Sequence, residues 1–193
     1  MNSIFQFQKY LLKRQVFALA GTFRVYDPNG NLVMFSQQKM FKLREDIRIY
    51  NNENKTDEVL NIKARQIIDF SAAYDVVDTA MNQKIGTLRR KGWSSLLRDE
   101  WQVLDANDNQ LGTLFEDSMG LALLRRFLLG SWLPQNYDIA FGEKRVADLK
   151  QRFNLFRYEL DIDMSMDTAS QLDPRLGIAA GILLAAVEGR QSS

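Results

Sequence analysis

The chain contains no cysteine and no histidine. Those absences remove disulfide staples, thiolate nucleophiles, zinc sites of Cys/His type and the side chain best suited to proton transfer near neutral pH. Serine–histidine and cysteine–histidine catalysis are excluded with them. Excess charge is missing too: 25 Lys and Arg stand against 24 Asp and Glu, a formal net charge of +1. No global field draws such a chain to nucleic acid, and no extended basic stripe runs along it, so nucleic acid is not an expected partner. There is no glycine-rich phosphate loop. The opening stretch "MNSIFQFQKYLLKRQVFALAG" is interrupted by Lys9, Lys13 and Arg14 and has no long apolar run, so it does not read as a secretory signal. The expected location is cytoplasmic, with peripheral attachment to a membrane surface as the variant of that reading. Nothing in the composition marks a second domain, and residues 1–193 read as one domain of a size that supports a single core.

What the sequence does have is repetition. "YDVVDTAMNQKIGTL" from Tyr74 and "WQVLDANDNQLGTL" from Trp101 share an aromatic lead, apolar residues, an Asp, a polar turn and a closing Gly-Thr-Leu. Each reads as a β-hairpin, because Asn and Asp in the turn tolerate left-handed backbone and bond their own main chain. Looser versions start at Phe23, Asp46 and Tyr137, the first with a Pro-Asn-Gly turn and the last with Gly-Glu-Lys. Five hairpins, a first strand around Val16–Ala20 and a last one at "RYELDID" give about twelve strands at the short, regular spacing of an antiparallel barrel.

Two segments break that pattern. "DSMGLALLRRFLLG" has a capping start and good helix formers, predicting a helix over Ser118–Leu129; the plainer reading packs it on the barrel with Arg125 and Arg126 toward solvent, and the functional one lays it in a membrane interface. The second is "LDPRLGIAAGILLAAVEGR". Asp173 suits the N-cap, Pro174 the first helical position, and Gly189 a left-handed terminus, which predicts a helix over about 174–188. From Leu176 to Val187 every residue is apolar or glycine, yet the run is well short of the ~20 residues needed to span a bilayer. A helix apolar on all faces belongs inside protein. A barrel of about twelve strands has a lumen too wide for its own side chains, and this helix is the expected plug.

With "KRQVFALAGTFRVYDPNGNLV", the successive hairpins at Tyr74, Trp101 and Tyr137, and the closing "LDPRLGIAAGILLAAVEG", the chain resembles the LURP-one-related and phospholipid-scramblase proteins of the tubby C-terminal-like superfamily. The resemblance runs from about Lys9 to Glu188. It implies a mainly β fold, a twelve-stranded antiparallel closed barrel around a hydrophobic C-terminal helix. It implies no single activity, because one fold hosts many functions. The family includes phosphoinositide-binding domains and proteins linked to lipid scrambling and calcium.

Two candidate sites follow. In "LRRKGWSSLLRDEW", Arg89, Arg90, Lys91 and Arg98 surround Trp93 at a strand connection, a composition suited to an anionic headgroup; the plainer reading is a charged loop with a packed Trp. In "ELDIDMSMDTASQLD", Asp161 and Asp163 share a strand face and Asp167 follows, at the place where calcium-linked relatives carry acidic residues. Calcium asks for about six to eight oxygen ligands, and this segment lacks the glycine and ordered spacing of an EF-hand, so a solvated acidic face is the plainer reading there. Asp75, Asp78 and Asp105 fall where turns favour aspartate, so they argue for turns before catalysis. The expectation is a non-catalytic barrel module without a cofactor, calcium being the one candidate ion, that binds a phospholipid headgroup or a protein partner. The alternatives are a scramblase-like membrane protein and, behind it, a small-molecule hydrolase.

Overall fold

The computed structural model describes residues 2–15, 20–39, 46–65, 72–91, 100–117, 134–154 and 156–191. A 3-10 turn at Ser3–Phe5 leads into β1 (Lys9–Gln15), and five hairpins follow: β2 (Ala20–Tyr26) with β3 (Leu32–Lys39), β4 (Ile47–Tyr50) with β5 (Glu58–Ala64), β6 (Ala73–Asp78) with β7 (Gln83–Arg90), β8 (Glu100–Asp105) with β9 (Gln110–Glu116), and β10 (Asn136–Phe141) with β11 (Lys144–Arg152). Strand β12 (Arg157–Asp163) pairs β11 on one side and β1 on the other, closing a twelve-stranded antiparallel barrel. Helix α1 (Pro174–Gln191) ends the described chain.

Local chemistry accounts for the hairpins. Asp27 and Asp105 build the same turn: Asp27 Oδ1 accepts the N–H of Asn29 and Asn31 at 2.9 and 2.8 Å, and Asp105 Oδ1 accepts those of Asn107 and Asn109 at 2.8 Å each. The fourth residue of each turn is left-handed, Gly30 at φ 83° and Asp108 at φ 67°. The repeated Gly-Thr-Leu marks a second shared device. Register shifts in the β6–β7 and β8–β9 pairs leave Ile85 and Leu111 as the extra residues of bulges, each followed by a glycine. A Cβ on Gly86 would lie 2.4 Å from the Leu104 carbonyl oxygen, and one on Gly112 2.1 Å from that of Ala140, so the bends need glycine there.

Alternation sorts each strand into an inner and an outer face. In β12, Tyr158, Leu160 and Ile162 are buried while Glu159, Asp161 and Asp163 are partly exposed. The aromatic leads Tyr74, Trp101 and Tyr137 are all buried, and the Tyr74 and Trp101 rings stand 6.0 Å apart. Inside this ring runs α1. Its residues from Leu176 to Ala186 are buried without exception, and it packs against β1 and β12 on one side and β6 and β7 on the other, strands half a ring apart. Only the lumen offers such a position. Burying each of Ile178, Ile182, Leu183 and Leu184 contributes about 1.5–3 kcal/mol, which makes the plug a principal part of the core. Gly177 and Gly181, one turn apart, form the face turned to β12 and the chain after it. A Cβ on Gly177 would meet Met164 Sδ at 2.6 Å, and one on Gly181 would meet Ile162 Cδ1 at 2.6 Å.

Two expectations shift, and a third falls outside the described residues. The first strand is Lys9–Gln15, ahead of Val16–Ala20; of that span only Ala20 is described, where it opens β2. Tyr10 and Leu12 supply the inward pattern that was expected later. Helix α1 reaches Gln191, past Gly189, because a glycine that stays right-handed costs a helix only about 1 kcal/mol and does not end it. The helix expected at Ser118–Leu129 lies outside the described residues.

Candidate functional site

In an antiparallel ring, alternate connections emerge at opposite ends. The hairpin connections β2–β3, β4–β5, β6–β7, β8–β9 and β10–β11 lie at one end, the turn end, together with the segment that feeds α1. The β11–β12 connection and the β7 exit lie at the other, the loop end.

The turn end is committed to structure. Asp78 accepts the N–H of Met81 at 3.0 Å and the Nη1–H of Arg175 at 2.6 Å, tying the β6–β7 turn to the entrance of α1. Asp173 accepts the Arg175 main-chain N–H at 2.9 Å and its guanidinium at 2.9 and 2.6 Å, the N-cap expected of it. Asp75 lies within β6 instead of in a turn, and there it shares Arg65, Lys84 and Thr87 with Asp108. Burial raises the Asp75 carboxyl, but hydrogen bonds from Arg65 and Thr87 outweigh it and hold the acid below its ordinary value. Hydrogen bonds from Arg65 and Lys84 hold Asp108 well below the carboxylate range, and the same two acids push the Arg65 guanidinium up. The cluster is an outer-face staple between hairpins.

The acidic candidates are held separately. Asp161 is gripped by both arms of Arg152 at 2.6 and 2.7 Å, and Asp163 by Lys9 at 2.8 Å and by Ser165. Asp167 is buried in the turn before α1, where its Oδ2 accepts the N–H of Leu172 at 2.7 Å. Among the described residues no group of three acidic side chains is placed to hold a metal ion. A shallow cavity of about 290 Å³ on the outer wall of β1, β12 and β11 is lined by Lys9, Asp148, Lys150, Arg152, Asp161 and Asp163, and each of those charges already has an opposite partner. Next to it, Asp138 is 2% exposed and faces Asp148 across the β10–β11 pair. Burial pushes its carboxyl up to about 6; Arg145 at 3.0 Å pulls the other way, and Asp117 and Asp148 add repulsion.

The basic candidates occupy the loop end. Gly86 faces the helix and Leu88 is buried, so Arg90, on the same face, points inward, while Arg89 and Lys91 point outward. Lys91 pairs with Glu100, and its main-chain N–H reaches the Glu100 carbonyl at 2.9 Å. Strand alternation thus splits a sequence cluster that looked like one patch. Trp93 and Arg98 lie outside the described residues. Across the ring, Arg152 and Arg157 add basic side chains at the β11–β12 tip.

That tip is the feature the sequence reading passed over. Phe153 and Phe156 are exposed there, and the spacing "RFNLFR", two aromatics bracketed by arginines between two strand patterns, was the signal available for it. Comparison with known proteins adds one match: residues 33–184 fit the family model described as LURP-one-related. No curated protein and no solved structure matches the chain.

Proposed function

We propose, for a chain that belongs to the LURP-one-related family, that it is a non-catalytic barrel module which binds an anionic phospholipid headgroup at a membrane surface through its loop end. The observation that carries this reading is the sorting of charge between the two ends. Among the described residues, acids outnumber bases at the turn end, where Asp27, Asp57, Asp78, Asp105, Asp108, Glu143, Asp167 and Asp173 stand with Lys55, Lys84, Lys144 and Arg175, and bases outnumber acids at the loop end, where Arg89, Arg90, Lys91, Arg152 and Arg157 stand with Glu100, Glu116 and Asp117. A near-neutral molecule sorted this way is oriented by an anionic surface, since each basic residue close to such a surface contributes about 1 kcal/mol.

The non-catalytic part rests on the aspartates, which are occupied in turns and ion pairs, and on the lumen, which α1 fills. The wider kinship with the tubby C-terminal-like and scramblase proteins belongs to the same reading, with the closed twelve-strand ring and its buried helix in support. The scramblase-like alternative would bring α1 into lipid. Burial of Leu176–Ala186 weighs against that, and no helix among the described residues is long and apolar enough to cross a membrane. The location that suits the proposal is the cytoplasmic face of a membrane.

Vesicle flotation tests it. The full chain is expected to float with phosphatidylserine-containing vesicles and not with phosphatidylcholine alone, less well as salt rises. Arg89→Ala/Lys91→Ala/Arg157→Ala is expected to weaken binding at least about tenfold. Absence of binding to the anionic vesicles, or binding indifferent to both salt and the triple substitution, removes the reading. Calcium-dependent transfer of labelled lipid between leaflets would favour the scramblase-like alternative.

A further inference from the structure

The β11–β12 connection differs from every other described segment in what it shows to solvent. Phe153 and Phe156 are 62% and 69% exposed, the most exposed large apolar side chains among the described residues. Fully burying a Phe is worth about 1.5–3 kcal/mol, and single exposed apolar residues are ordinary, but here two stand together in one short turn. The turn is shaped rather than slack. Asn154 Oδ1 accepts the main-chain N–H of Phe156 at 3.0 Å and that of Arg157 at 3.1 Å, so Asn154 fixes the main chain that carries Phe156. Arg152 and Arg157 bracket them, both exposed, the first forked onto Asp161.

The shape of this feature selects its occupant. A stable protein interface covers about 1,200 Å² or more, and two exposed rings at one strand connection offer far less. A bilayer interface makes no such demand. Aromatic rings settle at the boundary between headgroups and acyl chains, and arginines beside them reach the phosphates with their stems in the apolar layer. The tip also lies at the loop end, where Arg89 and Lys91 stand across the ring, so one orientation on a flat surface brings both to the headgroups.

We propose that the β11–β12 tip is a membrane wedge: Phe153 and Phe156 enter the acyl boundary of an anionic leaflet while Arg152 and Arg157 remain at phosphate level. The inference rests on the headgroup-binding reading above and names the part of the chain that enters lipid.

Because the chain has no cysteine, a single introduced thiol reports one position. Phe156→Cys carrying a polarity-sensitive fluorophore is expected to shift to the blue on phosphatidylserine/phosphatidylcholine vesicles and to be quenched by a lipid-borne quencher. Met81→Cys, 58% exposed at the turn end, carries the same dye as control and is expected to do neither. Unlabelled Phe153→Ser/Phe156→Ser is expected to lose at least about tenfold in vesicle affinity with an unchanged melting temperature, since neither ring is packed. If the wild type binds vesicles and the double serine variant binds them equally well, the wedge is wrong and headgroup binding by the rim stands. Failure of the wild type to bind any anionic vesicle overturns both. Concentration-dependent dimerisation of the wild type, abolished by the two serines, overturns the wedge in favour of self-association.

Discussion

Arg175, on the first turn of the central helix, donates from Nη1 to Oδ2 of Asp78 at 2.6 Å, across 97 positions of sequence. Asp78 is 4% exposed and caps its own hairpin turn with the other carboxylate oxygen. The contact fixes how far the plug slides into the ring, because Arg175 is also clamped by the N-cap Asp173.

Cutting that contact is expected to cost more than a surface ion pair does. Asp78→Ala and Arg175→Leu should each destabilise by about 2–4 kcal/mol, as removal of one partner leaves the other poorly solvated. Their coupling in a double-mutant cycle, read from urea unfolding, should be about 1–3 kcal/mol. Additive effects would show that the two ends of the plug and hairpin are independent.

Gly181 sets the clearance of the plug. A Cβ there already lies 2.6 Å from Ile162 Cδ1, 3.2 Å from Ile162 Cγ1 and 3.4 Å from Leu160 Cδ2, and both neighbours are buried in the wall. Gly181→Ala should therefore lower stability by about 1 kcal/mol despite its better helix propensity, and Gly181→Leu by about 3 kcal/mol or more. A wild-type melting temperature for the leucine variant would mean that the helix sits in a looser lumen than the one described.

The pH dependence should carry the mark of Asp138. Its carboxyl is raised from 3.8 to about 6 in the folded protein, mainly by burial. Below about pH 4 both folded and unfolded chains hold the proton and the group contributes nothing to stability. Between about pH 4 and 6 the unfolded chain releases it first, so stability falls as pH rises, and above that range the penalty stays constant at about 1–3 kcal/mol. Asp138→Asn is expected to be more stable than the wild type at about pH 8, with the advantage vanishing near pH 4. Equal urea midpoints at the higher pH would show that Arg145 already compensates the buried charge.

Much of this architecture was legible in the order of residues. The turns were visible because their chemistry is local: Asp27 and Asp105 bond N–H groups two and four positions on, and the left-handed sites at Gly30, Asn82 and Asp108 fall on residue types that tolerate them. The helix was visible because Asp173 and Pro174 mark its start, and a segment apolar on every face has one stable destination in a wide ring. Its far end was misplaced because Gly189 ends a helix only if the backbone there turns left-handed.

How the candidate residues are grouped in space was not legible, and the reason is geometric. Arg89, Arg90 and Lys91 are adjacent in sequence, but a strand sends neighbours to opposite faces, so the middle one went inward. Asp161, Asp163 and Asp167 stand close together in the sequence, but their partners, Arg152, Lys9 and the Leu172 N–H, come from different segments.

By itself, then, the sequence determined the strand count, the turns, the capped start of the helix and the need for a buried place to put it, all of which follow from contacts within a few residues or from the periodicity of side chains. Only the tertiary structure decided that β12 closes on β1, that Arg175 meets Asp78, which acids are neutralised by which bases, and that Phe153 and Phe156 are left in water. Those outcomes depend on register and on which segments stand beside each other across the ring, and no local preference encodes them.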